Sequence, residues 1–151
     1  MTRKGQRYNP TLSYGAPQFW RAFRNDRAVK LHTTNNANLN LFTAYGSDYV
    51  AVNQEKHSKN LIVLPESMLP DWTSSSVATL TEADMEILTG LGTEIILLGT
   101  GSRLRFPSGA LLRPFANAGI GLDVMDLQAA CRTYNILAAE GRKVAAALLF
   151  D

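Results

Sequence analysis

The sequence lacks the material for disulfides, zinc clusters and membrane-spanning helices. Among 151 residues there is one cysteine, Cys131, so no intrachain disulfide can form, and a lone thiol fits a reducing compartment. Two distant histidines, His32 and His57, with that single cysteine make no zinc cluster, and no metal or cofactor is expected. No apolar run approaches the roughly 20 residues that cross a bilayer. The longest, residues 144–150, has the length of a strand. The first residues are polar and basic, without the apolar stretch of a secretory signal. The expected location is therefore cytoplasmic. Catalytic groupings are missing as well: there is no Ser-His-Asp order, carboxylate pair or P-loop, and no catalytic residue is assigned.

Acidic residues are scarce at one end. Residues 1–30 carry Arg3, Lys4, Arg7, Arg21, Arg24, Arg27 and Lys30 against Asp26 alone. Seven cations against one acid give that stretch +6, so the remainder of a +2 chain is −4. A basic leader on an acidic body suits an anionic surface, lipid or RNA. Peripheral contact with a membrane or membrane complex through residues 1–30 is carried forward, and nucleic acid is not. A solvated terminus is the plainer alternative. Phe19, Trp20 and Phe23, interleaved with Arg21 and Arg24, form a short amphipathic stretch that packs on the domain or meets a membrane interface. Residues 1–27 are thus read as a basic, loosely ordered leader and residues 28–151 as one α/β domain, since 46% hydrophobic residues suffice for a core at this length.

Within that domain, Glu94-Ile95-Ile96-Leu97-Leu98-Gly99-Thr100-Gly101 reads as a strand buried on both faces, because an apolar run of strand length is closed by two glycines. Residues 120–124 and 144–150 are further strands, each preceded by a helical segment. Pro107 and Ser108 open a helix over 109–117 that leaves at Gly119. Asp126 caps another over 127–140, stopped by Gly141. This β-α-β-α-β order builds a parallel sheet covered by helices. In the last helix Leu127, Ala130, Cys131, Tyr134, Leu137 and Ala138 recur every 3.6 residues and should face the sheet, while Gln128, Arg132 and Asn135 gather on a more polar side. Upstream, residues 29–32, 39–45, 49–53 and 61–64 read as successive strands of an antiparallel meander, with 53–60 a polar turn. Residues 65–76 read as an irregular loop anchored by Trp72. Thr81 caps a helix reaching about Leu88, with Ala83, Ile87 and Leu88, and Met85 and Leu91 nearby, as a modest core face.

In an open α/β sheet, ligands bind beyond the carboxyl ends of the strands where crossovers diverge. If the two crossovers leave strand 94–98 on opposite sides, that point falls at Gly99, Thr100 and Gly101. Asp126, Arg103 and Arg105 lie beside it, with Arg132 and Asn135 along the following helix. Glycines, exposed amides and arginines suit a small anion or phosphate. Gly99 and Gly101 match only the first two glycines of a dinucleotide fingerprint; Leu104 holds the third position. Each residue has a structural alternative: close backbone approach for the glycines, a helix cap for Asp126, a tie between helix and loop for Arg132, and a buried core position for Cys131.

The segment Ala129-Ala130-Cys131-Arg132-Thr133-Tyr134-Asn135-Ile136-Leu137, followed by Glu140-Gly141-Arg142 and Val144-Ala145-Ala146-Ala147-Leu148, resembles a small conserved bacterial family. Leu98-Gly99-Thr100-Gly101 and Phe42-Thr43-Ala44-Tyr45-Gly46 belong to the same likeness, which covers about residues 28–150. Eukaryotic relatives of that family include a mitochondrial assembly factor for respiratory complex I. Members often carry Thr where this chain has Leu127, and the stretch before Ala28 is additional to their usual start. The resemblance implies a three-layer α/β domain with a mixed central sheet and the β meander packed beside it. It implies protein partners at the inner membrane and supplies no catalytic residues. The function expected is a non-enzymatic assembly domain, with a small-anion enzyme or sensor at the Gly99–Arg105, Asp126 and Arg132 crevice as the alternative. An exposed apolar patch with a filled crevice favours the first; an open pocket at those residues favours the second.

Overall fold

The computed structural model describes residues 38–151. The expectations for the basic leader, its aromatic stretch and the strand at 29–32 lie outside the described residues. Eight strands and three α-helices follow in the order β1 (Phe42–Tyr45), β2 (Val50–Val52), β3 (Glu55–His57), β4 (Leu61–Leu64), β5 (Ser67–Pro70), α1 (Glu82–Thr89), β6 (Ile95–Gly99), α2 (Gly109–Ala118), β7 (Gly121–Met125), α3 (Leu127–Ala139) and β8 (Val144–Leu148). Strands β1-β2-β3 form one antiparallel sheet. The other five form a mixed sheet in the order β5-β4-β8-β6-β7, with β6 parallel to both β7 and β8, and β4 antiparallel to β8 and β5. The expected mixed α/β architecture is what the chain adopts.

Two cores follow from the period-two alternation of buried strands. Leu97, Ala146 and Leu148 point to one face, where they meet α3 through Ala130, Cys131 and Tyr134 and the small sheet through Phe42, Val50 and Val52. Ile96, Leu98, Ala145 and Ala147 point to the other, against Met85 and Leu88 of α1, Phe115 of α2 and Trp72. The two crossovers from β6 to β7 and from β7 to β8 run in opposite directions, so a common right hand requires their helices on opposite faces. Phe115 of α2 and Tyr134 of α3 do lie in different cores.

Several expectations needed correction. Strand β4, expected in the meander, lies instead inside the main sheet, where its Leu61, Ile62 and Val63 are all buried and pair with β8. A strand apolar on both faces belongs between two layers rather than at a half-solvated surface. The central strand is accordingly β8, fully buried along its length, with β6 beside it. The polar turn expected over 53–60 is shorter: only Asn53 and Gln54, at φ of 50° and 75°, turn the chain, and Glu55 to His57 return as β3. The stretch read as an irregular loop contains β5, an edge strand, which is where Pro70 is tolerated. In α1 the buried apolar face is Met85 and Leu88, while Ala83 and Ile87 are exposed.

Helix α3 fastens the small sheet to the large one. The Asn135 side chain accepts the Phe42 N–H and donates to the Phe42 carbonyl, both at 2.8 Å, as a neighbouring strand would. The Tyr134 hydroxyl donates to the Asn40 carbonyl at 2.9 Å, and its ring meets Phe42 edge-on at 5.2 Å. Asn40 in turn donates through Nδ2 to the Leu64 and Ser67 carbonyls of the β4–β5 hairpin. Replacing Asn135 with Ala leaves both Phe42 backbone groups without a partner and should cost about 2 kcal/mol in urea unfolding, against about 1 kcal/mol for Tyr134→Phe. Unchanged midpoints for both would show that α3 does not hold β1.

Candidate functional site

The carboxyl ends of β6, β7 and β8 meet at one rim, where the crossovers diverge. At Gly99 the backbone is pressed between layers: an added Cβ would sit 2.9 Å from Leu148 Cδ2 and 3.1 Å from Ala130 Cβ. This glycine lets α3 lie against the sheet, which is the structural alternative stated for it. Thr100 is buried and its hydroxyl is fully engaged, donating to the Arg103 carbonyl at 2.7 Å and accepting the Arg105 N–H at 3.0 Å. Its own N–H donates to the Met125 carbonyl at the end of β7. Gly101 adopts φ of +88°, and a side chain there would collide with the Asp151 carboxylate. The Gly101 carbonyl accepts the first amide of α3, from Leu127, at 2.8 Å.

Asp126 is the N-cap of that helix, accepting the Ala129 N–H at 2.8 Å. With Leu127 bonded to Gly101, two of the first amides of α3 already have partners inside the protein. A cleft of about 180 Å³ lies between Gly46 and Ser47 on one side and Gly101, Ser102, Asp126 and Gln128 on the other. That is below the roughly 300 Å³ at which small-molecule sites usually begin. An open depression of about 450 Å³ lies to the other side of Asp151, lined by residues such as Lys59, Asn60, Asp71 and Phe150. At the opposite end of the sheet is a groove of about 440 Å³ whose lining includes Leu64, Leu91, Thr93, Arg142 and Lys143.

A carboxylate already sits on the rim. Asp151 accepts hydrogen bonds from the Ser102 hydroxyl and, at 3.2 Å, from the Ser102 N–H. These bonds, with Arg105 and Arg103 nearby, outweigh partial burial and hold its carboxyl below the usual range. The structure therefore gathers Gly99, Thr100, Gly101, Arg103, Arg105 and Asp126. Arg132 and Asn135 stand apart: at about 1.5 Å per helical residue they lie about 9 and 13 Å past Asp126. Arg132 is exposed and makes no ion pair among the described residues, so the expected tie to a loop is not seen. Asn135 has both ends of its amide on Phe42. Cys131 is fully buried, and burial pushes its thiol up to about 12, which removes it as a nucleophile at neutral pH.

Asn60 at this rim was not singled out from the sequence. Its side chain accepts the Phe150 N–H at 2.8 Å and donates to the Thr73 and Ser75 carbonyls, tying β8 to the loop after β5. Trp72 donates its indole N–H to the Leu148 carbonyl at 3.2 Å and is buried, as the anchoring role requires. The only local signal for Asn60 was its place in a polar turn, which does not reveal a partner 90 residues away.

Residues 42–149 match a family model described as Protein of unknown function (DUF498/DUF598). The NADH dehydrogenase [ubiquinone] 1 alpha subcomplex assembly factor 3 of Bos taurus is 32% identical over 108 residues, 70% of this chain and 58% of that protein. The chain thus spans 58% of the length of this relative. A crystal structure from Bordetella parapertussis is 42% identical, with TM-score 0.70, covering 75% of this chain and 97% of that one. A Bordetella pertussis protein described as a Mth938-like domain is 34% identical, with TM-score 0.64, covering 74% and 86%.

Thr100→Val keeps the shape and removes the hydroxyl, and the two loop groups left behind should cost about 2 kcal/mol in urea unfolding. A neutral effect would mean that Thr100 does not organise the loop. Because the folded carboxyl of Asp151 lies below its unfolded value, its contribution is present above the unfolded value and is lost as pH falls through the folded one. Asp151→Asn should therefore flatten the acid limb of stability against pH; an unaltered limb would contradict this. Native Cys131 should resist a thiol reagent at pH 7 until the chain is unfolded, and prompt labelling would show that α3 opens.

Proposed function

The chain belongs to the DUF498/DUF598 family, and from that premise we propose that it is a non-enzymatic assembly domain serving the biogenesis of a respiratory membrane complex. Its protein partners would be components or fellow assembly proteins of that complex. The likeness to a complex I assembly factor over 70% of the chain supports this reading. The carrying observation is the state of the rim: Asp151 occupies Ser102 and leaves a cleft of only about 180 Å³, while Leu104 and Phe106 beside it stand exposed. Exposed apolar residues beside a cleft too small for most ligands suit a scaffold. Among the described residues no helix is long and apolar enough to cross a membrane. In this reading contact with the inner membrane is peripheral, with the basic residues 1–30 meeting anionic lipid or the complex itself.

One observation favours a second reading, in which the rim takes a small anion. The Asp151 carboxylate bonded to Ser102, with Arg103 and Arg105 nearby, supports this reading. In that case inorganic phosphate should displace Asp151 and shift the amide resonances of Ser102 and Arg105 saturably, while those of Arg132 and Asn135, which stand apart, stay in place.

Removal of this chain from its own cell tests the first reading. Native gels should then show less assembled NADH dehydrogenase and an accumulation of partial complexes, restored by the intact chain. Undiminished assembly would contradict the proposal.

A further inference from the structure

The loop after β6 presents cations and large apolar groups alternately and is held rigid while doing so. Arg103, Leu104, Arg105 and Phe106 are all exposed, with Leu104 at 51% and Phe106 at 68% of their full accessibility. The flanking anchors are buried: Thr100 and Gly101 before the loop, Pro107 after it. The Thr100 hydroxyl grips the Arg103 carbonyl and the Arg105 N–H, so the backbone that carries the four side chains is fixed from beneath. Packing explains why this backbone is fixed; it does not explain why a leucine and a phenylalanine are held out in water.

Charge narrows what can cover them. Residues 95–122 contain three arginines, Arg103, Arg105 and Arg113, and no aspartate or glutamate. The rest of residues 38–151 carries five lysines and arginines against twelve acids. The loop is thus a cationic and apolar segment on an acidic body, with the carboxylates of Asp126 and Asp151 at its base. Bilayer contact falls to the basic residues 1–30; around the loop itself the acidic excess of residues 38–151 disfavours an anionic bilayer, whereas a short peptide meets the loop alone. The chain's own Asp151 carboxylate is held by Ser102 and pairs with neither arginine among the described residues, so both guanidinium groups remain exposed beside it.

We infer that residues 102–106 are a docking surface for an acidic segment of a protein partner, in which carboxylates alternate with large apolar side chains. The carboxylates engage Arg103 and Arg105 while the apolar groups cover Leu104 and Phe106. A backbone fixed in advance limits the ordering cost of binding. This inference rests on the assembly reading and names the partner chemistry for it.

The test uses the full chain and a fluorescein-labelled synthetic peptide in which Glu alternates with Leu and Phe, followed by fluorescence anisotropy. Binding should be saturable and weaken with added salt. It should fall roughly tenfold or more in Arg103→Ser/Arg105→Ser and in Leu104→Ser/Phe106→Ser, each melting like the parent chain. Equal binding by parent and variants overturns the inference. So does loop-dependent binding to vesicles of phosphatidylcholine and phosphatidylglycerol in equal parts without peptide binding, which assigns the loop to a bilayer. In cells lacking the chain, variants that restore NADH dehydrogenase assembly as fully as the parent sink the docking surface and leave the assembly reading standing. If removing the chain does not disturb assembly, that reading falls, and the peptide result alone decides the loop.

Discussion

The close approach of α3 to the sheet is the constraint on which the other contacts depend. With no Cβ at Gly99 and only methyl groups at Ala130 and Ala146, the helix lies directly over β6 and β8. At that depth Tyr134 reaches the Asn40 carbonyl and Asn135 reaches both backbone groups of Phe42. The small sheet is thereby fastened to a helix rather than paired to the large sheet. The same docking aligns the first turn of α3 with the Gly101 carbonyl, so the position of the helix also sets the rim.

Rim geometry follows from hydrogen-bond accounting. Polar groups in a crowded turn need partners when buried. Here Thr100 serves the loop, Asp126 serves α3, and Ser102 serves Asp151. These residues are occupied in holding shape. What this rigid arrangement leaves exposed is the short run of arginines and apolar residues after Ser102. In the proposed role, the buried half of the turn makes the exposed half definite.

Legibility in the sequence tracked the range of the forces involved. The three parallel strands, the caps Thr81 and Asp126, the exits at Gly119 and Gly141, and the buried face of α3 all rest on local spacing and composition, and they were readable. Strand β3 was missed because Glu55, Lys56 and His57 are polar and the turn at Asn53 and Gln54 lacks glycine. Strand β4 was placed in the wrong sheet because pairing is a long-range choice; its wholly apolar character was the available clue. Asparagines 40, 60 and 135 bind carbonyls and amides 13 to 93 residues away, and no spacing rule exposes such partners. Of the candidate site, the meeting of Gly99–Arg105 with Asp126 was legible from crossover topology. The carboxylate of Asp151 was not, since nothing in a strand's tail announces where it folds back.

The central claim is that α3, the small sheet and the rim turn form one rigid frame. Native-state hydrogen exchange of the full chain measures this directly at four amides: Phe42 bonded to Asn135, Arg105 bonded to Thr100, Leu149 bonded to Gly99 and Phe150 bonded to Asn60. A single frame predicts that all four exchange only with global unfolding, with the same free energy and the same denaturant dependence. Exchange of Phe42 or Arg105 through a separate local opening, while Leu149 stays protected, would contradict it.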